Sequence, residues 1–503
     1  MNTPLTLAPV FVFFVTLLAV GFFARRRAKR VSGNFSSEYF IGSRSLGGFV
    51  FAMTFVATYS SVSSFVGGPG LAWQRGFGWV YYATIQVVSV MMVMGIVGKK
   101  IAIIGRKIGA VTVVDIVRAR YSSDALANIS AVVLVVFFTA MMAAQYSGGA
   151  NLFAAAADVD YEAGLVIFAL VVVVYTAVGG YRGVALTDTI CAMVMLFGMG
   201  IIGFAIMRSG GGLKAIMEKI GEDPARLQIR SGGALSVPFL LSQWLLCGVC
   251  TLGLPQSLVR TLSYRDSRSL HRAMIYGTVV IGLMMAGMHL LGTLSHGVIS
   301  EIPSGKTTDA IMPALIVQKL PPLLAGFAII GTLAATMSTV SSLLIMAASA
   351  IIKDLWLRYR PKHGTPPDDK KLRRFSVLVT LIIGLISMLI AVKPPSVIVW
   401  INLFAFGGLQ SAFFWTFLLG LFWKRANAAG ATLAMVGGVV SYCLAMALRI
   451  PLGGSHHIVI GIGVAFVLFI AGSLLGKPED EKTLRLFFPE AFPLPRRQPA
   501  SGF

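Results

Sequence analysis

Thr58-Tyr59-Ser60-Ser61-Val62-Ser63-Ser64, followed by Gly67-Gly68-Pro69-Gly70, lies inside an otherwise apolar run at residues 46–70. Six hydroxyls in seven residues, then three glycines around a proline, are more than a simple membrane anchor needs. In hydrocarbon a freed backbone group costs several kcal/mol, so a broken helix survives only where it lines a protein cavity. A second interruption, Cys247-Gly248-Val249-Cys250-Thr251-Leu252-Gly253-Leu254-Pro255, falls in the run 235–258. These are the second and seventh apolar runs of the chain, and each opens a set of five, 2–6 and 7–11. Breaks at matching positions of two halves point to an inverted-repeat transporter. Ordinary helix packing through glycine and hydroxyl residues is the alternative reading.

The composition agrees with a membrane bundle. Of 503 residues 56% are apolar and only 12% charged, with a mean hydropathy of +0.81. A soluble domain carries roughly 25% charge, and a transmembrane helix needs ~20 mostly apolar residues, which caps the count near fourteen. Thirteen spans are expected, roughly 7–24, 46–70, 76–98, 127–152, 162–179, 184–207, 235–258, 273–297, 322–350, 375–391, 396–422, 427–447 and 457–475. The fold class is therefore an all-α integral membrane protein, with residues 1–475 as one transmembrane domain. Its core repeats are expected at about 46–207 and 235–422, and residues 476–503 form a polar, Pro-rich cytoplasmic tail.

A net charge of +22 in a soluble protein would suggest nucleic acid. Its distribution argues otherwise. With the N-terminus outside, the inner segments hold 32 of the 42 Lys and Arg. The inner clusters include Arg25–Arg27 with Lys29 and Arg30, Lys99–Lys100 with Arg106–Lys107, Arg260 to Arg272, and Lys353 to Arg374. The basicity is a topology signal that places the C-terminus in the cytoplasm. The first apolar stretch is followed, not preceded, by its basic cluster, so it is expected to remain as a span rather than be cleaved. Cys191, Cys247, Cys250 and Cys443 all fall in spans. Cys247-Gly-Val-Cys250 has the spacing of a redox or metal pair, but lacks a second pair and reads better as small packing residues.

Four connections are long. Residues 99–126 are expected to form one or two basic amphipathic helices on the inner surface, suited to anionic headgroups. The stretch 351–374, with Pro361, Pro366 and Pro367, is expected to be a mobile loop. The other two, 208–234 and 298–321, are on the outer side.

Asp188 is the carboxylate placed clearly within an expected span, where such a group is a functional hypothesis by default. A helix-capping role near the inner interface is its plainer alternative. In the ninth span Ala335, Ser338 and Thr339 stand at i, i+3 and i+4 and share a face, with Ser341 and Ser342 one turn further in. A hard cation such as sodium takes several oxygen ligands from carbonyls and hydroxyls. His289 in the eighth span reads as a proton relay or, more plainly, as a partner to a neighbouring helix. Gln86, Gln145, Gln243, Trp244 and Asn402 are polar or amphipathic residues within spans and candidate substrate contacts. There is no Walker loop, no HExxH, and no nucleophile–base constellation in a span, so neither ATP drive nor membrane-embedded catalysis has candidate residues.

These residues resemble the sodium/solute symporter family, from Glu38-Tyr39-Phe40-Ile41-Gly42-Ser43-Arg44-Ser45 to about residue 475. The distinctive pieces are Ala57-Thr58-Tyr59, Ser63 to Gly70, Tyr175-Thr176-Ala177-Val178-Gly179-Gly180-Tyr181-Arg182, and Gly253-Leu254-Pro255 through Arg260. Met337-Ser338-Thr339, Ile352-Lys353-Asp354-Leu355 and Lys393-Pro394-Pro395 add to them. The resemblance is strongest to the pantothenate-carrying branch. It implies a leucine-transporter-like five-plus-five core, with one helix before it and two after. It also implies a main sodium site of the Ala57, Ser60 and Ala335 carbonyls with the Ser338 and Thr339 hydroxyls. A second sodium site matches Asp188, Ser341 and Ser342, and leaves one or two ions per cycle open. Sugar-transporting relatives have a glutamine where this chain has Ser64, which points away from a sugar.

The expected function is sodium-coupled uptake of pantothenate across a bacterial inner membrane by a protein acting as a monomer, with no organic cofactor. Ser61, Ser64, Gln86, Gln243 and Asn402 are the candidate substrate contacts. Rival readings are another small cargo, such as a monocarboxylate or proline, a sodium-permeable channel, or a sensory receptor built on a transporter-like domain.

Overall fold

The computed structural model describes residues 3–28, 41, 44–304, 306–359, 369–394 and 396–491. The loop prolines 361, 366 and 367, Lys29–Arg30, residues 38–40, 42 and 43 of the first family motif, and the tail beyond residue 491 lie outside the described residues. Within them the protein is all helical, with one isolated bridge, Leu46 to Tyr264, in place of any strand.

Among the described residues eleven helices are long and apolar enough to cross a membrane. They are α1 (Thr3–Ala28), α3 (Phe77–Ile108), α4 (Asp124–Ala157), α5 (Tyr161–Tyr181), α6 (Gly183–Ser209) and α8 (Ser267–Leu294). The others are α9 (Pro322–Leu357), α10 (Lys370–Ala391), α11 (Ile398–Phe422), α12 (Ala428–Ala447) and α13 (Ile458–Leu475). The remaining two of the thirteen expected segments are the two interrupted ones. The second is a pair, α2a (Gly48–Tyr59) and α2b (Ser63–Arg75), bent by 68°. The seventh, α7a (Val237–Cys247), is short; it gives way to a 3-10 turn at Val249–Gly253 and then α7b (Pro255–Arg260).

Why the chain breaks there is local. Ser60 turns extended (φ −75°, ψ 125°) after its N–H closes the last turn on Val56 O. The freed N–H of Val62 is taken by the Gln145 side chain at 3.0 Å. Gln145 thereby caps the break rather than facing a substrate. At the seventh segment, a Cβ on Gly253 would stand 2.4 Å from the Phe414 backbone, so only glycine lets α11 approach the turn.

The best-buried helix, α9, is enclosed chiefly by α5–α6, α4 and α1, and it also meets the α2 break and α7b. Of α9's most apolar stretch 83% is buried, against 33% to 50% for α3, α4, α6, α8 and α10. Without water to drive association, helices in lipid pack closely through small residues. Gly198 of α6 and Gly331 of α9 meet so closely that a Cβ on either would lie 2.8 Å from the other's Cα. Outward, Phe11, Leu170, Ile275 and Val467 are exposed, as a lipid-facing surface requires.

The long connections depart from expectation in two respects. Of the stretch 351–374, expected to be a mobile loop, residues 351–357 are helix that continues α9 and residues 370–374 are the first turns of α10, so the helices extend further than the apolar runs alone suggest. Residues 99–108 continue α3, and the next helix, Val113–Tyr121, is not on the surface. Val113, Val114, Ile116 and Val117 are buried, and Arg120 is buried too, donating to the carbonyls of Trp423 and Ala426 at 3.1 and 2.9 Å. A capping box between Thr112 and Asp115 starts that helix. Arg120 therefore serves as a tie to the α11–α12 turn as well as a topology charge.

Candidate functional site

The break of α2 leaves backbone carbonyls without helical partners, and α9 presents hydroxyls to them. Ser338 Oγ donates to Ala57 O at 2.9 Å and to Ala335 O at 3.2 Å. Thr339 Oγ1 donates to Ser60 O and to Ala335 O, both at 3.0 Å. Five oxygens thus converge: three carbonyls and two hydroxyls, on five fully buried residues. All five residues of the expected main sodium site are brought together. A neutral, all-oxygen set is what a hard monovalent cation takes, and the two hydroxyls can turn their hydrogens away from the three carbonyls and aim lone pairs inward, so that all five oxygens face one ion.

Asp188 and Ser342 also come together, but around a guanidinium. Arg260 donates to Asp188 Oδ2 at 3.1 Å, to Thr54 Oγ1 at 2.7 Å, and to Ser342 Oγ. Thr54 Oγ1 in turn donates to Asp188 Oδ2 at 2.6 Å. Ser341 is turned away, donating to Ser338 O at 3.0 Å. The expected second sodium trio is therefore divided, and the positive charge beside Asp188 is supplied by the chain. Arg260, read from the sequence as an inner topology charge, is fully buried because α7b carries it back into the bundle under the Tyr181 ring. Thr54 was not singled out by sequence; its signal was a hydroxyl one helical turn before Thr58.

Next to the break lies a small cavity of about 40 Å³. Ser61, Ser64, Gln86 and Asn402, four of the five expected substrate contacts, line it together with Ser63 and His289. Ser63 Oγ and Asn402 Oδ1 are buried without a partner among the described residues, as groups awaiting a ligand would be. Gln243 does not line it; it is buried in α7a, and both its amide atoms lack partners among the described residues. Trp244 instead packs on Tyr81, with ring centroids 5.1 Å apart. His289 Nδ1 donates to Met285 O at 2.6 Å, since a carbonyl can only accept, which leaves Nε2 as an acceptor against Gly68. On the side of the α2b–α3 turn the cavity is closed by Trp79, which packs on Tyr82, Phe239 and Trp400 at centroid distances of 4.7, 6.3 and 6.2 Å. Forty cubic ångströms hold about one water, against ~300–1,000 Å³ for an organic ligand pocket. This is a contracted state that must widen to take cargo.

A membrane bundle with two broken helices, one of them joined to α9 by a buried oxygen cluster beside a closed polar cavity, defines a secondary transporter of the five-plus-five inverted-repeat class. The chain belongs to the sodium:solute symporter family, whose model matches residues 39–438. It is 40% identical over 478 residues to the sodium/pantothenate symporter of Escherichia coli strain K12, covering 95% of this chain and 98% of that one. To the Haemophilus influenzae sodium/pantothenate symporter it is 39% identical over 477 residues, 94% of this chain and 97% of that one. In fold it is similar to a Na+-coupled sialic acid symporter solved in a substrate-bound outward-open state, with a TM-score of 0.78 at 20% identity, covering 95% and 99% of the two chains.

Proposed function

We propose that this chain is a sodium-coupled symporter that carries pantothenate inward across the bacterial inner membrane, with its N-terminus outside and its C-terminus in the cytoplasm. The observation that carries the reading is the five-oxygen cluster joining the break of α2 to α9. A sodium ion there would hold α2 against α9 and so favour the state with a formed cavity; its differential affinity for the two states is what couples ion to cargo.

The cavity chemistry suits a small, polar anion. Its hydroxyl, amide and imidazole groups match the amide and hydroxyls of pantothenate, yet no lining residue is cationic. The cargo's carboxylate would then be balanced by the neighbouring sodium ion and by the positive dipole end of α2b, which begins at Ser63 in the cavity wall.

The Asp188–Arg260 pair supports one sodium per cycle. Adding an ion beside a carboxylate already neutralised by a guanidinium would leave a net positive charge at membrane depth, which is expensive. One sodium with one monoanion is electroneutral, and a tenfold gradient, worth about 1.4 kcal/mol, supports about tenfold accumulation.

The test is labelled pantothenate uptake into proteoliposomes under an inward sodium gradient, with potassium replacing sodium as control. Sodium-dependent accumulation that does not respond to an inside-negative potential is expected. Absence of uptake by folded protein would remove pantothenate. Accumulation that grows with the potential would remove the single-ion coupling. Competition by unlabelled monocarboxylates or proline separates the rival cargoes.

A further inference from the structure

α3 carries a basic turn beyond its apolar length. After a π-helical stretch at Val93–Gly98, the α-helix Lys99–Ile108 adds Lys99, Lys100, Arg106 and Lys107. Ile96, Lys99, Ile103 and Lys107 recur at spacings of three and four, so they form one stripe, and all four are exposed. Facing this stripe is the chain segment that ends the short helix Glu481–Phe487 and runs on to Glu490. Between the two lies a hollow of about 320 Å³.

The walls of this hollow are divided by chemistry. Its floor is apolar, built from Ile96, Ile103, Ile104, Leu486 and Phe487. Its rim carries Lys99, Lys100 and Lys107 against a single carboxylate, Glu490. Lys100 is held over the rings of Phe422 and Phe488, its ammonium 5.1 and 4.5 Å from their centroids. Lys99 and Lys107 have no ion pair or hydrogen bond among the described residues. Other cations nearby are already engaged: Arg106 donates to Tyr264 O at 2.6 Å, and Lys353 pairs with Asp115. Away from the lysines the same helix exposes Val88 and Met91, an apolar track continuing from Ile96.

A cationic rim over an apolar floor, where a span leaves the hydrocarbon, fits an amphiphile better than a soluble anion, which would leave the floor unused. We propose that this hollow binds one anionic phospholipid, its phosphodiester among Lys99, Lys100 and Lys107 and one acyl chain along Ile96, Met91 and Val88. The lipid would bridge α3 to the segment after residue 481. Because Gln86 of the same helix lines the central cavity, the lipid steadies a helix that reaches the cargo.

The test uses the purified full chain in detergent. Its thermal unfolding is followed with added phosphatidylglycerol, with phosphatidylcholine of the same acyl chains, and with inorganic phosphate. A saturable rise in melting temperature with phosphatidylglycerol alone is expected, together with one retained phosphatidylglycerol per chain in native mass spectrometry. The double substitution K99Q/K107Q should abolish the rise, while K99R/K107R keeps it. Equal rises with both lipids, an equal rise with inorganic phosphate, or an undiminished rise in K99Q/K107Q would each overturn the proposal.

Discussion

Arg260 and Asp188 face each other at 3.1 Å with side chains 1% and 0% exposed, one delivered by the broken seventh segment and the other by α6. The pair is further tied to α2a through Thr54 and to α9 through Ser342, so one guanidinium gathers four helices beside the five-oxygen cluster. Removing one member leaves the other charged and buried, at a cost of about 3–5 kcal/mol, whereas removing both charges is far milder. Arg260→Gln and Asp188→Asn are each expected to lower the melting temperature and abolish transport in the protein as purified. The double substitution should recover most of the melting temperature. Additive losses in that cycle would show that the two side chains do not act as a pair.

Ser338→Ala and Thr339→Ala each remove one of the five oxygens at the α2 break while leaving the three carbonyls in place. Each should raise the sodium concentration for half-maximal uptake by about tenfold, the equivalent of ~1.4 kcal/mol. Maximal uptake at saturating sodium should change little, because neither side chain lines the cavity. A sodium titration of transport decides it, and unchanged sodium dependence in both variants would count heavily against the site.

Asn402 and Gln145 are both polar residues within spans, but the geometry assigns them opposite behaviour. Asn402→Ala deletes an unpartnered acceptor from the cavity wall, so the KM for cargo should rise about fivefold, as loss of ~1 kcal/mol implies, with sodium dependence unchanged. Gln145→Ala orphans the buried N–H of Val62 at the break, costing ~1–3 kcal/mol of stability. Its signature should be a lower melting temperature rather than a cargo-selective defect. Identical profiles for the two variants would contradict the assignment.

What the sequence made legible was what local pattern encodes. Serine and glycine density marks the break of α2, and the i, i+3, i+4 spacing of Ala335, Ser338 and Thr339 places their oxygens on one face. Both survive folding because they depend on a few adjacent residues. Arg260 was opaque for the opposite reason: an arginine at the inner end of a span looks like any other topology charge until the chain between it and Asp188, 72 residues away, is folded. Gln145 and Gln243 show the same limit, since a span glutamine serves backbone, cargo or packing according to which helix turns toward it. The burial of the helix Val113–Tyr121 did leave a trace, in four apolar residues among its first five, which allow no continuous polar face.

Asp309 makes the fold sensitive to pH on the side of the 298–321 connection. Its Oδ2 accepts the N–H of Ile398, the first residue of α11, at 3.1 Å, while Oδ1 is buried without a partner among the described residues. A Cβ on Gly67 of α2b would stand 3.3 Å from Oδ1, so the carboxyl is wedged against the broken helix. Burial pushes its pKa up to about 6, only partly countered by the Ile398 N–H. The folded value is above the ordinary one, so the stabilisation that accompanies the neutral acid is complete below pH ~4 and is lost as pH rises through about 6. Between pH 5 and pH 7 the packing of this buried carboxyl should be destabilised by about 1.4 kcal/mol, or roughly tenfold, because ionisation is penalised by burial more than the Ile398 N–H repays. Hydrogen exchange in the first turn of α11 reads this directly, because the ratio between the native chain and Asp309→Asn cancels the intrinsic pH dependence of exchange. Protection of the native chain relative to the variant should fall about tenfold from pH 5 to pH 7. A ratio that stays constant would mean that Asp309 remains in one protonation state throughout, and that the connection packs on α2b and α11 independently of pH.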